Sequence, residues 1–165
     1  MDFVNEKKPV LTWNSEGAPI SGLAVGPDGT VYAATGSGAA RYANSIVALD
    51  GRTLALKDWL THGSGFTSAP VVFSEGDKTF VAVTSASRLY VLDTASLGGA
   101  DHRTPVHVTP ADGTRFGGDG ISSWRDPKGT RWLLTEVNGT VGAFTVAEKG
   151  AALVVGRAWT SREMR

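Results

Sequence analysis

The chain has 165 residues with Lys plus Arg at 16 and Asp plus Glu at 16, so no net field draws a nucleic acid or an anionic membrane surface. No window approaches the roughly 18 apolar residues of a membrane span, and MDFVNEKKPV lacks the apolar core of an export signal. The absence of cysteine excludes disulfides and thiolate metal sites without fixing a compartment, while 21 glycines between short apolar runs favour an all-β fold.

Residues 1 to 9 are polar and end in Pro9, a frayed lead-in, and Val10 to Trp13 reads as a strand. Leu23 to Val25 is a short strand joined to Val31 to Thr35 through Gly26, Pro27, Asp28 and Gly29, a tight-turn composition. The Gly36, Ser37, Gly38 cluster breaks the second strand; Ser45 to Asp50 is a third, too short for a helix, and Gly51 and Arg52 turn toward a fourth ending on Trp59. Four short antiparallel strands make one meander.

A second copy follows, with strands at Pro70 to Phe73, Phe80 to Thr84, Leu89 to Asp93 and Pro105 to Val108. Thr84 falls where Thr35 fell, and Asp93 where Asp50 fell. The third copy reads ISSW, RWLLT, TVGAFTV and a last strand near Val154 to Trp159, with Thr135 repeating Thr84 and Thr145 replacing the aspartate. Its Asn138-Gly139 turn is a strong hairpin signal and accounts for the Asn138-Gly139-Thr140 acceptor pattern. Gly117 to Gly120, with Asp112 and Asp119, lacks the oxygen spacing of a calcium loop and reads as a connector.

Four-stranded repeats at about 40 to 50 residues are the sign of β-propeller blades. The expected fold is all-β, a partial propeller forming one segment over residues 1–165. Its blades fall at about 20–59, 68–108 and 119–160, preceded by one extra N-terminal outer strand. Known propellers use about four or more blades, so this is an open arc. Its exposed faces point to self-association, or to the remaining blades of a larger propeller. Trp13, Trp59 and Trp159 sit at one phase, the end of a meander, and are expected to pack between adjacent blades. Asp50 and Asp93 are expected to accept hydrogen bonds from turn amides.

The stretch VYAATGSG, then YANSIVALDGRTL and the closing Trp59, resembles the quinoprotein alcohol dehydrogenase-like, or PQQ-repeat, propellers. Ala48, Asp50, Thr53 and Trp59 are similar in register to that family's blade signature, with Leu54 standing where the signature has glycine and Trp59 coming one residue late. The second blade shares the likeness through YVLDTASLGG, and the third only in outline. The resemblance implies a periplasmic or extracellular location. In the family's dehydrogenases it implies PQQ held by calcium, an asparagine ligand from a Gly-Ser-Gly-Asn turn, and an aspartate base. Here the turn reads GSGA, so Ala39 offers no oxygen to calcium. His62 remains in THGSGFTSAP, but no carboxylate lies between it and Pro70.

No catalytic residue and no metal ligand is therefore assigned, and no cofactor is expected; PQQ with calcium applies only if the chain is part of a dehydrogenase. Arg41 and Tyr42, on the loop after Gly38, together with His62, are the candidate contacts for a ligand on the ring face. His62, His102 and His107 are too scattered for a metal site by spacing. The expected function is a non-catalytic scaffold or interaction segment. The alternatives are a fragment of a PQQ-dependent alcohol or sugar dehydrogenase, or a carbohydrate-binding module.

Overall fold

The computed structural model describes residues 10–150 and 152–162. The readings made for residues 1–9, a frayed lead-in without a signal core, lie outside the described residues. Three four-stranded antiparallel sheets follow one another along the chain, each ordered as a meander. The first holds β1 (Ile20–Val25), β2 (Val31–Thr35), β3 (Ser45–Leu49) and β4 (Leu56–Thr61). The second holds β5 (Val71–Glu75), β6 (Lys78–Thr84), β7 (Leu89–Asp93) and β8 (His107–Val108). The third holds β9 (Phe116–Arg125), β10 (Arg131–Val137), β11 (Thr140–Lys149) and β12 (Ala152–Thr160). The fold is all-β, a partial propeller of stacked sheets. Among the described residues no helix is long and apolar enough to cross a membrane.

Alternation along each strand sends successive side chains to opposite faces, which is why the central strands are apolar on both. Tyr32, Ala34, Ile46, Ala48 and Leu60 of the first blade share a core with Val81, Val83, Tyr90, Leu92 and Leu97 of the second. Phe80, Ala82, Leu89 and Val91, the alternate residues of the second blade, form another core with Leu133, Phe144, Val146 and Leu153 of the third. Full burial of each large apolar side chain contributes about 1.5–3 kcal/mol, so these two seams hold the arc together. Polar contacts fix their register. Arg125 pairs with Glu75 at 2.6 Å, and Arg131 donates to the Ser74 carbonyl at 3.0 Å. At the first seam the Ser21 hydroxyl donates to the Phe66 carbonyl at 2.7 Å.

Several expectations change in detail. Val10 to Trp13 form no strand: no ladder partner faces them, Val10 and Leu11 are exposed, and only Trp13 is held, by its ring against Tyr42. Gly117 to Gly120 is not a connector but part of β9, which pairs with β10 across a register shift between Thr135 and Val137. Glycine fits there because a Cβ at Gly117 would strike the Glu136 carboxyl. Thr84 is not the counterpart of Thr35. Ala34 pairs with Ile46 and Thr84 with Leu89, which places Thr84 level with Ala34 and Ser85 level with Thr35, because the second blade's Ser85–Arg88 turn is shorter than the Gly36–Asn44 loop. The Thr35 hydroxyl serves that longer loop, accepting the Ser45 N–H at 2.8 Å and donating to the Tyr42 carbonyl.

The turn after the third strand of the first and second blades repeats a Leu-Asp-x-x-[Thr/Ser]-Leu pattern, Leu49 to Leu54 and Leu92 to Leu97. Asp50 accepts the Arg52 N–H at 3.0 Å and the Thr53 N–H and hydroxyl, each at 2.8 Å. Asp93 accepts the Ala95 N–H at 2.9 Å. Leu97 then plugs the first seam, fully buried, with its N–H donated to Asp58 at 2.8 Å. Its counterpart Leu54 holds a left-handed φ of 55° and lies on the outer side of the first blade. Truncating the plug, Leu97→Ala, is expected to cost about 2–5 kcal/mol in urea unfolding. Leu54→Gly, which relieves the positive φ, stays within about 1 kcal/mol of wild type. Equal effects at the two positions would contradict the seam assignment.

Candidate functional site

The sequence-predicted ligand contacts do not converge. Arg41 is exposed on the loop between β2 and β3, its guanidinium 5.1 Å from the centroid of the Tyr42 ring. Tyr42 turns the other way. It is 7% exposed and packs between Trp13, at 5.6 Å centroid to centroid, and Trp59, at 6.3 Å. The loop places it inward because Thr35 and Ser45 hold the backbone on either side of it, and its ring then closes the apolar group formed with Val47 and Leu49.

His62 follows β4, its N–H bonded to the Asn44 carbonyl at 2.8 Å. Its ring stands edge-on to Tyr90, whose hydroxyl lies 3.0 Å from Nδ1 and 3.2 Å from Nε2. Burial, with a smaller contribution from the nearby Arg88 charge, pulls the imidazole below its ordinary pKa. Burial likewise pushes the Tyr90 phenol above the ordinary tyrosine value. The pair is thus neutral near pH 7 and forms a hydrogen bond spanning the first seam. A shallow recess of about 270 Å³ opens beside it, lined by Thr61, His62, Gly63 and Arg103.

Two further histidines take up positions that spacing did not reveal. The His102 ring stacks on Trp59 at 3.8 Å and 9° between planes, and its Nδ1 lies 3.1 Å from Asp58. The His102 carbonyl also takes the Thr61 N–H at 2.8 Å, so the Gly99–Asp101 turn and the residue after it cover the free edge of β4. His107, on β8, has a buried Nε2 without a hydrogen-bond partner, and burial holds its pKa below the usual histidine range. It lines a cleft of about 220 Å³ between the second and third blades together with Phe116, Phe144, Val155 and Arg157. Only the loop composition around residues 99 to 104, glycine and aspartate followed by threonine, hinted at such a turn.

The tryptophans share a phase in sequence but not in space. Trp59 pairs with Val47, on the face of the first blade turned away from the second, and is capped by His102 reaching across from the second blade. Trp159 pairs with Ala143 and is 48% exposed. A register shift between Ala143 and Phe144 puts it on the face of the third blade that no other blade among the described residues covers. Trp159 therefore lies on the opposite side of its blade from Trp59 and packs against no neighbouring blade among the described residues, because one slipped residue moves a side chain to the other face.

The donor set does not fit a calcium-anchored quinone. Ala39 is exposed with a methyl side chain, and the described residues bring together no group of three or more His, Cys, Asp or Glu that could hold a metal ion. The side chain of Asp119, weighed in the sequence for a calcium loop, lies outside the described residues.

No family model matches the chain, and no curated protein matches it. Among solved structures it is similar to BamB from Moraxella catarrhalis, at 12% identity and a TM-score of 0.40, over 88% of this chain. The chain spans 65% of the length of that structure.

Because His62 and His107 both have depressed values in the fold, the unfolded chain binds more protons between the folded and ordinary histidine pKa values. Stability is then full above the ordinary value of about 6.5 and is lost as pH falls toward the depressed ones. Urea unfolding at several pH values should show this decline, and His62→Gln with His107→Gln should flatten it. A slope unchanged in that double variant would refute the assignment to these two rings.

Proposed function

We propose that the chain is a non-catalytic propeller arc that works as a scaffold, its interactions running through the faces of its two end blades. The observation that carries this reading is their apolar exposure. Ile20, Leu23 and Val25 on β1 are 46%, 60% and 66% exposed, and Trp124 and Trp159 on the third blade are 53% and 48% exposed. Apolar surface gathered in this way marks interaction sites on soluble proteins. The polar groups that the sequence offered as chemistry are instead engaged with the fold: His62 with Tyr90, His102 with Trp59 and Asp58, and Asp50 with its turn. The finer family reading is PQQ-repeat, supported by the Leu-Asp-x-x-[Thr/Ser]-Leu turns, and with it goes a periplasmic or extracellular setting.

The test is a titration of the purified chain with PQQ and calcium, followed by tryptophan fluorescence and by dye reduction with alcohols and sugars. Neither saturable quenching nor turnover is expected. Saturable binding with dye reduction would overturn the scaffold reading in favour of a dehydrogenase fragment, and retention on insoluble glycans would overturn it in favour of a carbohydrate-binding module.

A further inference from the structure

The first two blades meet through an aromatic contact whose polar end is satisfied. Phe66, on the link from β4 to β5, packs edge-on against Tyr90 with ring centroids 5.2 Å apart. The Tyr90 hydroxyl then meets the His62 imidazole, 3.0 Å from Nδ1 and 3.2 Å from Nε2. Phenol and imidazole satisfy each other.

The second and third blades repeat the contact without the phenol. Phe66 bridges to Ser85 in the second blade, and Phe116 pairs with Val137 in the third, so Phe116 stands where Phe66 stood. From those pairs, Val83 opposite Tyr90 corresponds to Thr135 opposite Gly142. Glycine has taken the place of the tyrosine. A Cβ at Gly142 would strike Val137 and lie 3.3 Å from the Phe144 ring, so the Phe144 ring lies over the position that the tyrosine side chain would leave. Phe144 in turn packs on Phe116 with centroids 6.0 Å apart, and it carries no hydroxyl. The imidazole at this seam is that of His107, on β8 opposite Val91, whereas His62 lies beyond the end of β4. The seams therefore share a chemical arrangement and not a register at this point. Among the described residues the buried Nε2 of His107 has no hydrogen-bond partner. Such atoms are rare because leaving them unpaired is costly.

The cleft of about 220 Å³ beside His107 shows what could complete the arrangement. Phe116 and Phe144 are buried and Val155 partly so, which makes its floor apolar. At the rim, Arg157 holds its guanidinium 5.7 Å from the Phe144 ring centroid, and none of the ion pairs among the described residues involves it. Asp112 shares the rim, but its carboxylate already accepts the Thr114 N–H at 3.0 Å. Arg157 is thus the charge on offer. An apolar cavity of about 150 Å³ accepts benzene, so this cleft has room for one substituted benzene ring.

We propose that the cleft between the second and third blades binds a small phenol bearing a carboxylate, its ring against Phe116 and Phe144, its hydroxyl at His107 and its carboxylate at Arg157. The ligand hydroxyl gives His107 what Tyr90 gives His62. Burial holds the His107 imidazole below the ordinary histidine pKa, so near pH 7 it is neutral and accepts the phenolic proton as a hydrogen bond. The site goes beyond the scaffold reading and does not depend on it.

The test is a calorimetric titration of the full chain near pH 7 with 4-hydroxybenzoate, benzoate and phenol, with backbone amide shifts locating the site. 4-Hydroxybenzoate is expected to saturate with a dissociation constant below about 1 mM, within reach of a ligand of about ten non-hydrogen atoms. It should move amides of residues 107–116 and 142–157. Benzoate and phenol, each lacking one polar contact, should bind about fivefold more weakly. His107→Phe keeps a ring and removes the unpaired nitrogen, so it should bind 4-hydroxybenzoate and benzoate alike. Arg157→Gln, at an exposed position, should bind 4-hydroxybenzoate and phenol alike. The three-ligand comparison on the wild-type chain stands whether or not a variant folds. No saturation by about 10 mM, equal wild-type affinity for benzoate and 4-hydroxybenzoate, a hydroxyl preference that survives in folded His107→Phe, or shifts centred on other elements would each overturn the site.

Discussion

A four-stranded sheet that is apolar on both faces cannot be stable alone, and every other feature of this chain follows from that constraint. The middle strands of the second blade are buried from end to end except at their termini, with Phe80 through Val83 and Leu89 through Leu92 all 1% exposed or less. They reach that state because a blade lies on each side. Hydrophobic burial at about 25 cal/mol per Å² is the large favourable term, and it is available only when sheets stack. The second blade is satisfied by a blade on each face, the outer face of the first buries Val47 and Leu49 under Trp13, Tyr42 and Trp59 instead, and among the described residues no blade covers the outer face of the third.

Polar groups keep the stack in register without driving it. The Arg125–Glu75 pair is partly exposed, and its contribution is modest beside the apolar seam under it. Its geometry matters more than its energy: Arg125 and Arg131 both reach the Ser74 carbonyl at the end of β5, so a shift of the third blade by one strand pair would break several contacts at once. Asp58 does the same at the first seam by holding both the Leu97 N–H and His102. Asp50, Asp93, Asp101, Asp112 and Asp126 work within their own turns, each accepting N–H groups from residues two to four positions on. This is the reason aspartate recurs at the ends of strands.

The all-β class, the three meanders and the turn role of Asp50 and Asp93 were legible because they depend on local pattern: short β-branched runs, Gly-Asp turns, and a leucine at fixed distance from each aspartate. Facing was not legible. Thr84 seemed to repeat Thr35, yet pairing sets it against Leu89 and one residue away from equivalence. Trp159 shared the phase of Trp59 but lies on the other side of its blade. One error comes from a loop whose length differs between blades and the other from a bulge of a single residue, and with a side-chain period of two a shift of one residue exchanges core and surface. The candidate site failed for a related reason. Tyr42 and His62 are polar aromatics near a glycine-rich loop, a composition that suits a binding face, but such residues also close the ends of apolar seams, where the ring packs and the polar atom finds one partner. Sequence does not distinguish these uses, whereas a hydroxyl 3.0 Å from an imidazole nitrogen does.

His102 carries the same point further. Its φ of 54° places it among the residues of the chain with left-handed backbone, and nothing in its spacing from His62 or His107 suggested a role. The chain has to bridge from the end of β7 to β8, and the turn at Gly99–Asp101 sends it around the edge of the first blade instead of straight across. That path lets the His102 carbonyl satisfy a β4 amide that would otherwise be an unpaired edge group, while the ring covers Trp59. Edge protection and seam closure are thus obtained from one residue of the next blade. The outer edge of a blade is finished by its successor, which explains why β4 is covered while Trp159, near the end of β12, stays exposed: no successor among the described residues reaches around it.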